Sequence, residues 1–324
     1  MTGPPAVLTI GETMALLDPF EDGAPRSGST FRLRIGGAET NVAITLARLE
    51  VPVAWISVLG TDPLGDMVLD TLTAEQVDVR AVRRVAGAPT GIFLKWREGG
   101  ESTLHYYRRG SAATHLRVSD LPTVWSESTR VLHLTGITCA LGESPRAVVV
   151  EAIRRAAAAG VTTTFDLNYR AALWADPAAA EAAFCEVLPH ATWCLCSVDE
   201  GCVVFGVQSA AEVAAAAQAA GARSAAVRVG RDGVLVVTDG RARQVAPARI
   251  EDVVDDVGAG DAFAAGLIWG LLHGWPADAC ARAGNMLAAH ALRGTGDWET
   301  APRLAEVRDE LDACRTMVRE SGVA

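Results

Sequence analysis

The segment DDVGAGDAFAAGLIWGLL, residues 255–272, is where residue types and spacing speak most directly of chemistry. Gly258, Ala259 and Gly260 come directly before Asp261 and a long apolar helical pattern. A helix N-terminus presents N–H groups without intrahelical acceptors and the positive end of the helix dipole. Glycines let that backbone approach an anion closely and adopt angles other residues resist. Such a tip suits the charge that builds on a phosphoryl group in transfer. Asp261, in the first helical turn, is placed to take the proton of an attacking hydroxyl. A plainer reading stays open, in which Asp261 only caps the helix and the glycines only make a turn. No G-x-x-x-x-G-K-[ST] occurs, which excludes a Walker-type phosphate loop. Nor does G-x-G-x-x-G follow the first apolar run, which argues against a dinucleotide-binding enzyme.

A second glycine cluster, IGGAETN at 35–41, opens the first helical pattern. Gly36 and Gly37 permit close backbone approach, and Asn41 both donates to and accepts from a polyol. The plainer alternative is that Thr40 caps the helix.

The elements that must position these clusters alternate. Strands are predicted over 6–11, 53–60, 130–136, 162–168, 191–197 and 225–230. Helices are predicted over 40–50, 64–76, 144–159, 177–187 and 209–220, then 259–273, 277–293 and 303–318. This βαβα rhythm with near-continuous apolar strands predicts a parallel sheet covered by helices on both faces. Residues 12–35 and 89–108 break it, with the strand-like runs FRLRI, TGIFLKW and STLHYYR, the last two joined by the turn-rich REGGE. They are expected to pair into a small β-sheet beside the cleft, a lid that excludes water, or else to form an antiparallel edge of the main sheet.

Composition sets the outer bounds. Half of the 324 residues are hydrophobic, enough for a substantial core. Lysine and arginine total 29 against 39 acidic residues, a net charge of -10 that argues against nucleic acid as a partner. The seven cysteines, odd in number and set in apolar stretches, read as free thiols of a reducing, cytoplasmic compartment. In ATWCLCS a strand would throw Cys194 and Cys196 onto one face, as buried thiols rather than zinc ligands. The N-terminal MTGPPAVLTIGE has no basic, signal-like start, and no run reaches membrane-spanning length. None of the six histidines has a partner at metal spacing, so His105, His115 and His133 are read as structural. Asp62 and Asp66, in GTDPLGD, are expected to cap and shape the loop before a helix.

The two glycine clusters, GGAETNVAITLARLE with GTDPLGD and then DDVGAGDAFAAG, together resemble the ribokinase-like (PfkB) carbohydrate kinase family over nearly the whole chain. Within it, PTGIFL, LHYYRRGSAAT, HLTGITCAL, FDLNYRAALW and GDWE are most similar to the 2-keto-3-deoxygluconate kinases. The resemblance implies a three-layer α/β/α sandwich with a mostly parallel central sheet and a small β-sheet lid. The large domain would comprise 1–11, 36–88 and 109–324, and the lid 12–35 and 89–108. It implies an ATP–Mg²⁺ donor, transfer to the C6 hydroxyl of the sugar acid, and a homodimer through the lid.

Residue by residue, Asp261 matches the family's base, and Gly258, Ala259 and Gly260 its anion hole. Gly37, Asn41, Phe93, Tyr106, Arg108, Ile137 and Arg170 fall at substrate positions. Asn168, Ser197, Arg228, Gly230, Gly233 and Asn285 fall on the nucleotide side, and Glu200 matches a metal-and-phosphate glutamate. A monovalent cation such as K⁺ near Asp255 is a further cofactor the resemblance allows. The chain departs from the pattern at Asp256 and Val257, where many members have two threonines, at Phe93 and Ser197, where relatives have tyrosine and asparagine, and at Glu50, which replaces a common glycine. Two arginine forks, Arg108 and Arg170, would favour a sugar acid over a neutral hexose such as fructose. The alternatives are an exposed edge-strand charge for Arg108, a surface residue for Arg170, and a lid-core aromatic for Tyr106. Asp166 is expected to orient the loop bearing Arg170 rather than touch ligand. A fructokinase, a nucleoside kinase and a non-catalytic sugar sensor are the competing functions.

Overall fold

The computed structural model describes residues 3–98, 101–123, 125, 127–250 and 253–316. Residues 1–2 of the N-terminal stretch, 99–100 of the REGGE turn and 317–318 of the last expected helix lie outside them.

Thirteen strands form among the described residues: β1 (Val7–Ile10), β2 (Met14–Pro19), β3 (Phe31–Gly36), β4 (Val53–Gly60), β5 (Val82–Val85), β6 (Ile92–Glu98), β7 (Glu101–Tyr107), β8 (Val131–Thr135), β9 (Thr162–Asp166), β10 (Trp193–Ser197), β11 (Ser224–Arg228), β12 (Val234–Thr238) and β13 (Arg241–Val245). The helices are α1 (Ala38–Arg48), α2 (Pro63–Ala74), α3 (Gly136–Ala140), α4 (Glu143–Ala158), α5 (Pro177–Val187), α6 (Val198–Phe205), α7 (Ala210–Ala219), α8 (Ala259–Leu272), α9 (Ala277–Ala291) and α10 (Leu304–Thr316).

Nine strands make the main sheet, in the order β13-β12-β11-β10-β9-β8-β1-β4-β5. From β11 through β5 every neighbouring pair is parallel; β12 and β13 close one edge antiparallel. Side-chain alternation divides the interior. Trp193 and Leu195 of β10 point into one core with α1, α8 and α9. Cys194 and Cys196 point into the other, with α4, α5 and α7. The thiols thus lie on one face and are buried. Helices on both faces of the sheet are therefore dictated by strands that are apolar on both sides. No single helix among the described residues is long and apolar enough to cross a membrane.

The two segments that broke the rhythm form a separate four-stranded sheet, β3-β2-β6-β7, rather than an edge of the main one. One face packs Met14, Leu16 and Phe93 against Leu104 and Tyr106. The main sheet's antiparallel edge comes instead from 234–245, which the sequence reading passed over. Its turn carries Asp239 and Gly240 at φ 50° and 71°, the left-handed pair of a tight hairpin. Helix α6 was also passed over, although Ser197 and Glu200 form a reciprocal capping box at its start.

One helix end fits its residue and another does not. Asp62 caps α2 by accepting from the Gly65 amide at 2.9 Å, and it also takes the Thr90 amide at 2.8 Å. Glu50, after α1, is exposed and sits at φ 62°. A side chain in that region costs about 1 kcal/mol relative to glycine. Glu50→Gly is therefore expected to stabilise the fold by about 0.5–1 kcal/mol in equilibrium urea unfolding. An unchanged or lower midpoint would show that the glutamate side chain offsets its own strain.

Candidate active site

The strand order reverses at β1, which has β8 on one side and β4 on the other. Ligands of open α/β sheets bind beyond the carboxyl ends of strands at such a switch point. Here the residues following β1, β8, β9 and β10, namely Glu12, Ile137, Asn168, Arg170 and Glu200, line a cleft of about 480 Å³. The small sheet contributes Met14, Phe93, Ser102, Leu104 and Tyr106 to the same cleft, and α8 contributes Gly258, Gly260 and Asp261.

The tip of α8 is built around Gly258, at φ 81°. A β-carbon there would lie 2.0 Å from the Asp297 carbonyl oxygen, so only glycine fits. Gly260 and Asp261, in the first turn, line the cleft, and their amides have no acceptor inside the helix. Asp261 keeps part of its surface open to the cleft, and Asn41 Nδ2 donates to its Oδ2 at 2.7 Å. Burial lifts the Asp261 carboxyl to about 7; the Asn41 bond works the other way, and Asp166 adds to the rise. A base balanced near neutrality is what proton transfer from a hydroxyl requires.

Behind it, Asp166 accepts from Arg228 Nη1 at 2.9 Å and from the Asn168 amide at 3.1 Å. Asp166 thus positions Arg228 and Asn168. Through the Asn168 amide it holds the start of the loop that carries Arg170, the role expected of it. Burial works against the Arg228 charge, but Asp166 and Glu200 outweigh it and keep the guanidinium protonated. Asn168 holds φ 39°, and its Oδ1 is buried with no protein donor. His133 is buried against Thr164, at 2.9 Å, and burial drives its pKa to about 3, a neutral core residue.

On the small-sheet side, Phe93 and Tyr106 stack with ring centroids 5.7 Å apart. Burial raises the Tyr106 pKa, against the pull of Arg170 and Arg108. Arg108 is not the exposed edge-strand charge of the plainer reading: it is 7 % exposed. Its Nε donates to Glu12 Oε2 at 2.7 Å, and its guanidinium lies 5.5 Å from the Tyr106 ring centroid. Its charge is therefore already matched by Glu12, while the side chain still lines the cleft. Arg170 is different. Its side chain is 43 % exposed, lies 3.5 Å from Glu200, and donates from Nη1 to the Tyr169 carbonyl at 3.4 Å.

Gly37, Asn41, Phe93, Tyr106, Arg108, Ile137 and Arg170 all reach the cleft, as do Asn168, Ser197, Arg228 and Glu200. Ala259, Gly230, Gly233 and Asn285 do not line it. Gly233, at φ 85°, makes room for the Val245 carbonyl, and Asn285 Nδ2 donates to the Ala246 carbonyl at 2.7 Å. Glu200, expected to serve a metal, accepts from the Ser197 amide at 2.8 Å and lies 3.5 Å from Arg228. Among the described residues no three His, Cys, Asp or Glu side chains gather as a metal site. Asp255, considered for a monovalent cation, holds the Lys95 ammonium at 2.5 Å.

Sequence reasoning missed Glu12, Lys95 and Asp297. Glu12 and Asp297 sit in motifs it had quoted, GETMALLDPF and GDWE, but neither was given a role. Lys95, inside a strand, carried no local signal.

The chain matches the pfkB family carbohydrate kinase model over residues 5–303. It is 33% identical over 317 residues to the 2-dehydro-3-deoxygluconokinase of Bacillus subtilis (strain 168), covering 97% of this chain and 98% of that one. It is 32% identical over 296 residues to the 2-dehydro-3-deoxygalactonokinase of Haloferax volcanii, covering 90% and 92%. Among solved structures, the PfkB protein from Polaromonas sp. JS666 superposes with a TM-score of 0.85 at 33% identity, covering 94% of this chain and 99% of that one. Taken with the glycine-built helix tip and the cleft above it, these matches make the chain a member of the pfkB family of carbohydrate kinases.

Proposed function

We propose that this kinase transfers the γ-phosphoryl group of ATP to the C6 hydroxyl of 2-keto-3-deoxygluconate, with Asp261 as general base. The observation that carries the reading is one cleft lined by both the α8 tip with Asp261 and the partly exposed guanidinium of Arg170. The relatives named 2-dehydro-3-deoxygluconokinase support the choice of acid.

Asp261 takes the hydroxyl proton while Asn41 fixes the carboxylate's orientation. The amides of Gly260 and Asp261 hold charge on the phosphoryl oxygens. Arg170 has donors to give a carboxylate, and Tyr106 supplies a polar edge beside it. Arg108, neutralised by Glu12, shapes that end of the cleft more than it charges it. ATP supplies the phosphoryl group, and Mg²⁺ neutralises its phosphates. Glu200, which lines the cleft, would help hold an ion carried in on the nucleotide. A homodimer through the small sheet would have the exposed Leu33 and Tyr107 side chains to bury.

The test is coupled ADP release on 2-keto-3-deoxygluconate, its galactonate epimer and fructose. Wild type is expected to prefer an acid. Arg170→Ala should cut kcat/KM on that acid by about 10–100-fold, the worth of a charge-assisted hydrogen bond, and leave fructose turnover nearly unchanged. Preference for fructose, or equal damage on both substrates, would overturn the assignment of the acid.

A further inference from the structure

We infer that Lys95 is a positioning residue for phosphoryl transfer: its ammonium ties the small sheet to the loop that becomes the tip of α8. The inference rests on the proposed role of that tip. Lys95 lies on β6, is 4 % exposed, and runs behind the cleft wall rather than into the cleft. Its Nζ is 2.5 Å from Asp255 Oδ2 and 3.7 Å from Asp297 Oδ1. The other oxygen of Asp255 accepts from Ser102 on β7 at 3.2 Å and from the Val257 amide at 3.3 Å. Two strands of the small sheet therefore grip one carboxylate, and that carboxylate shapes the backbone leading into Gly258. Asp297 touches the same loop, its carbonyl occupying the space a β-carbon of Gly258 would need. One buried charge thus bridges the two residues that hold the tip in place.

The energetics run the same way. A buried ammonium is costly to desolvate unless matched, and here two carboxylates match it. Without it, Asp255 and Asp297 would be left as uncompensated acids beside a loop that must receive a triphosphate. Burial lifts the Asp297 carboxyl to about 6, and Lys95 is the first influence opposing that rise. The lysine neutralises the loop's surroundings without occupying the space of substrate. Since the bridge exists only while the small sheet lies against the loop, the substrate-covering and phosphate-holding parts of the cleft are set in register together.

Lys95→Met is expected to lower kcat about 100-fold through a misplaced tip, with KM for sugar acid and ATP within about 3-fold of wild type. Lys95→Arg should regain part of the loss. Added methylammonium should restore turnover to Lys95→Ala, because a short amine fits the gap between the two carboxylates. Hydrogen exchange at residues 253–261 should quicken in Lys95→Met while β8–β11 stay protected. Unchanged kcat, or a raised KM with kcat intact, would overturn the inference. A wild-type protein inactive on every acid would instead overturn the proposed substrate. Exchange at 253–261, which needs no turnover, would then decide on Lys95, and unaltered rates there would reject it.

Discussion

Asp261→Asn should lower kcat by about 10³–10⁴-fold while leaving sugar-acid affinity within about 2-fold, because only the proton transfer is lost. The asparagine oxygen can still accept from Asn41, so the geometry of the pair is kept. In the wild type, kcat/KM should fall about tenfold per pH unit below pH 7, since Asp261, the proposed base, is lifted to about 7 by burial. The same shift makes a stability prediction. The carboxyl moves from 3.8 to about 7 on folding, so the folded state binds the proton more tightly. Wild-type stability therefore declines as pH rises from about 4 to 7, and the loss is complete above 7. Asp261→Asn carries no such charge and should unfold later than wild type at pH 8, with the gap closing near pH 4. Near-normal turnover in single-turnover experiments would remove Asp261 as base. An equal midpoint at pH 8 would show that its charge is not strained.

The second large effect concerns Glu12. It is 3 % exposed and matches Arg108, while its other oxygen accepts from Ser111. Glu12→Ala leaves a buried guanidinium without its partner, which costs about 3–5 kcal/mol. The loss should appear in equilibrium denaturation together with a raised KM for the sugar acid, since Arg108 and Tyr106 line the cleft. Adding Arg108→Met should recover part of the stability, because no charge then stays unmatched. A single-variant loss below about 1 kcal/mol would mean that water reaches Arg108 and the pair is an ordinary surface bridge.

Legibility in the sequence followed locality. The Asp261 tip could be found because its glycines, acid and apolar helix are contiguous, and the α/β rhythm because each strand is apolar on both faces. The β12–β13 hairpin was missed despite its D-G turn, because β13 reads RARQV, an exposed edge strand without an apolar face. Helix α6 was missed because SVDE was read as a nucleotide-side motif and not as a helix start. Lys95 could not be found at all. Period-two alternation says which way a strand residue points, but nothing in it says that a loop 160 positions later ends there in a carboxylate. Arg108 showed the converse, a residue rightly placed at the cleft whose partner, 96 positions earlier, changes what it can offer.

Asn41 and Asp261 are 220 positions apart in the chain yet share one hydrogen bond. A chain emerging from the ribosome completes its first strands and α1 long before it reaches Asp261. The wall that seats Gly258 is finished only when Asp297 has been synthesised. The cleft is thus assembled only after residue 297 has been made, and no shorter polypeptide can present Asp261 and the α8 tip in this arrangement.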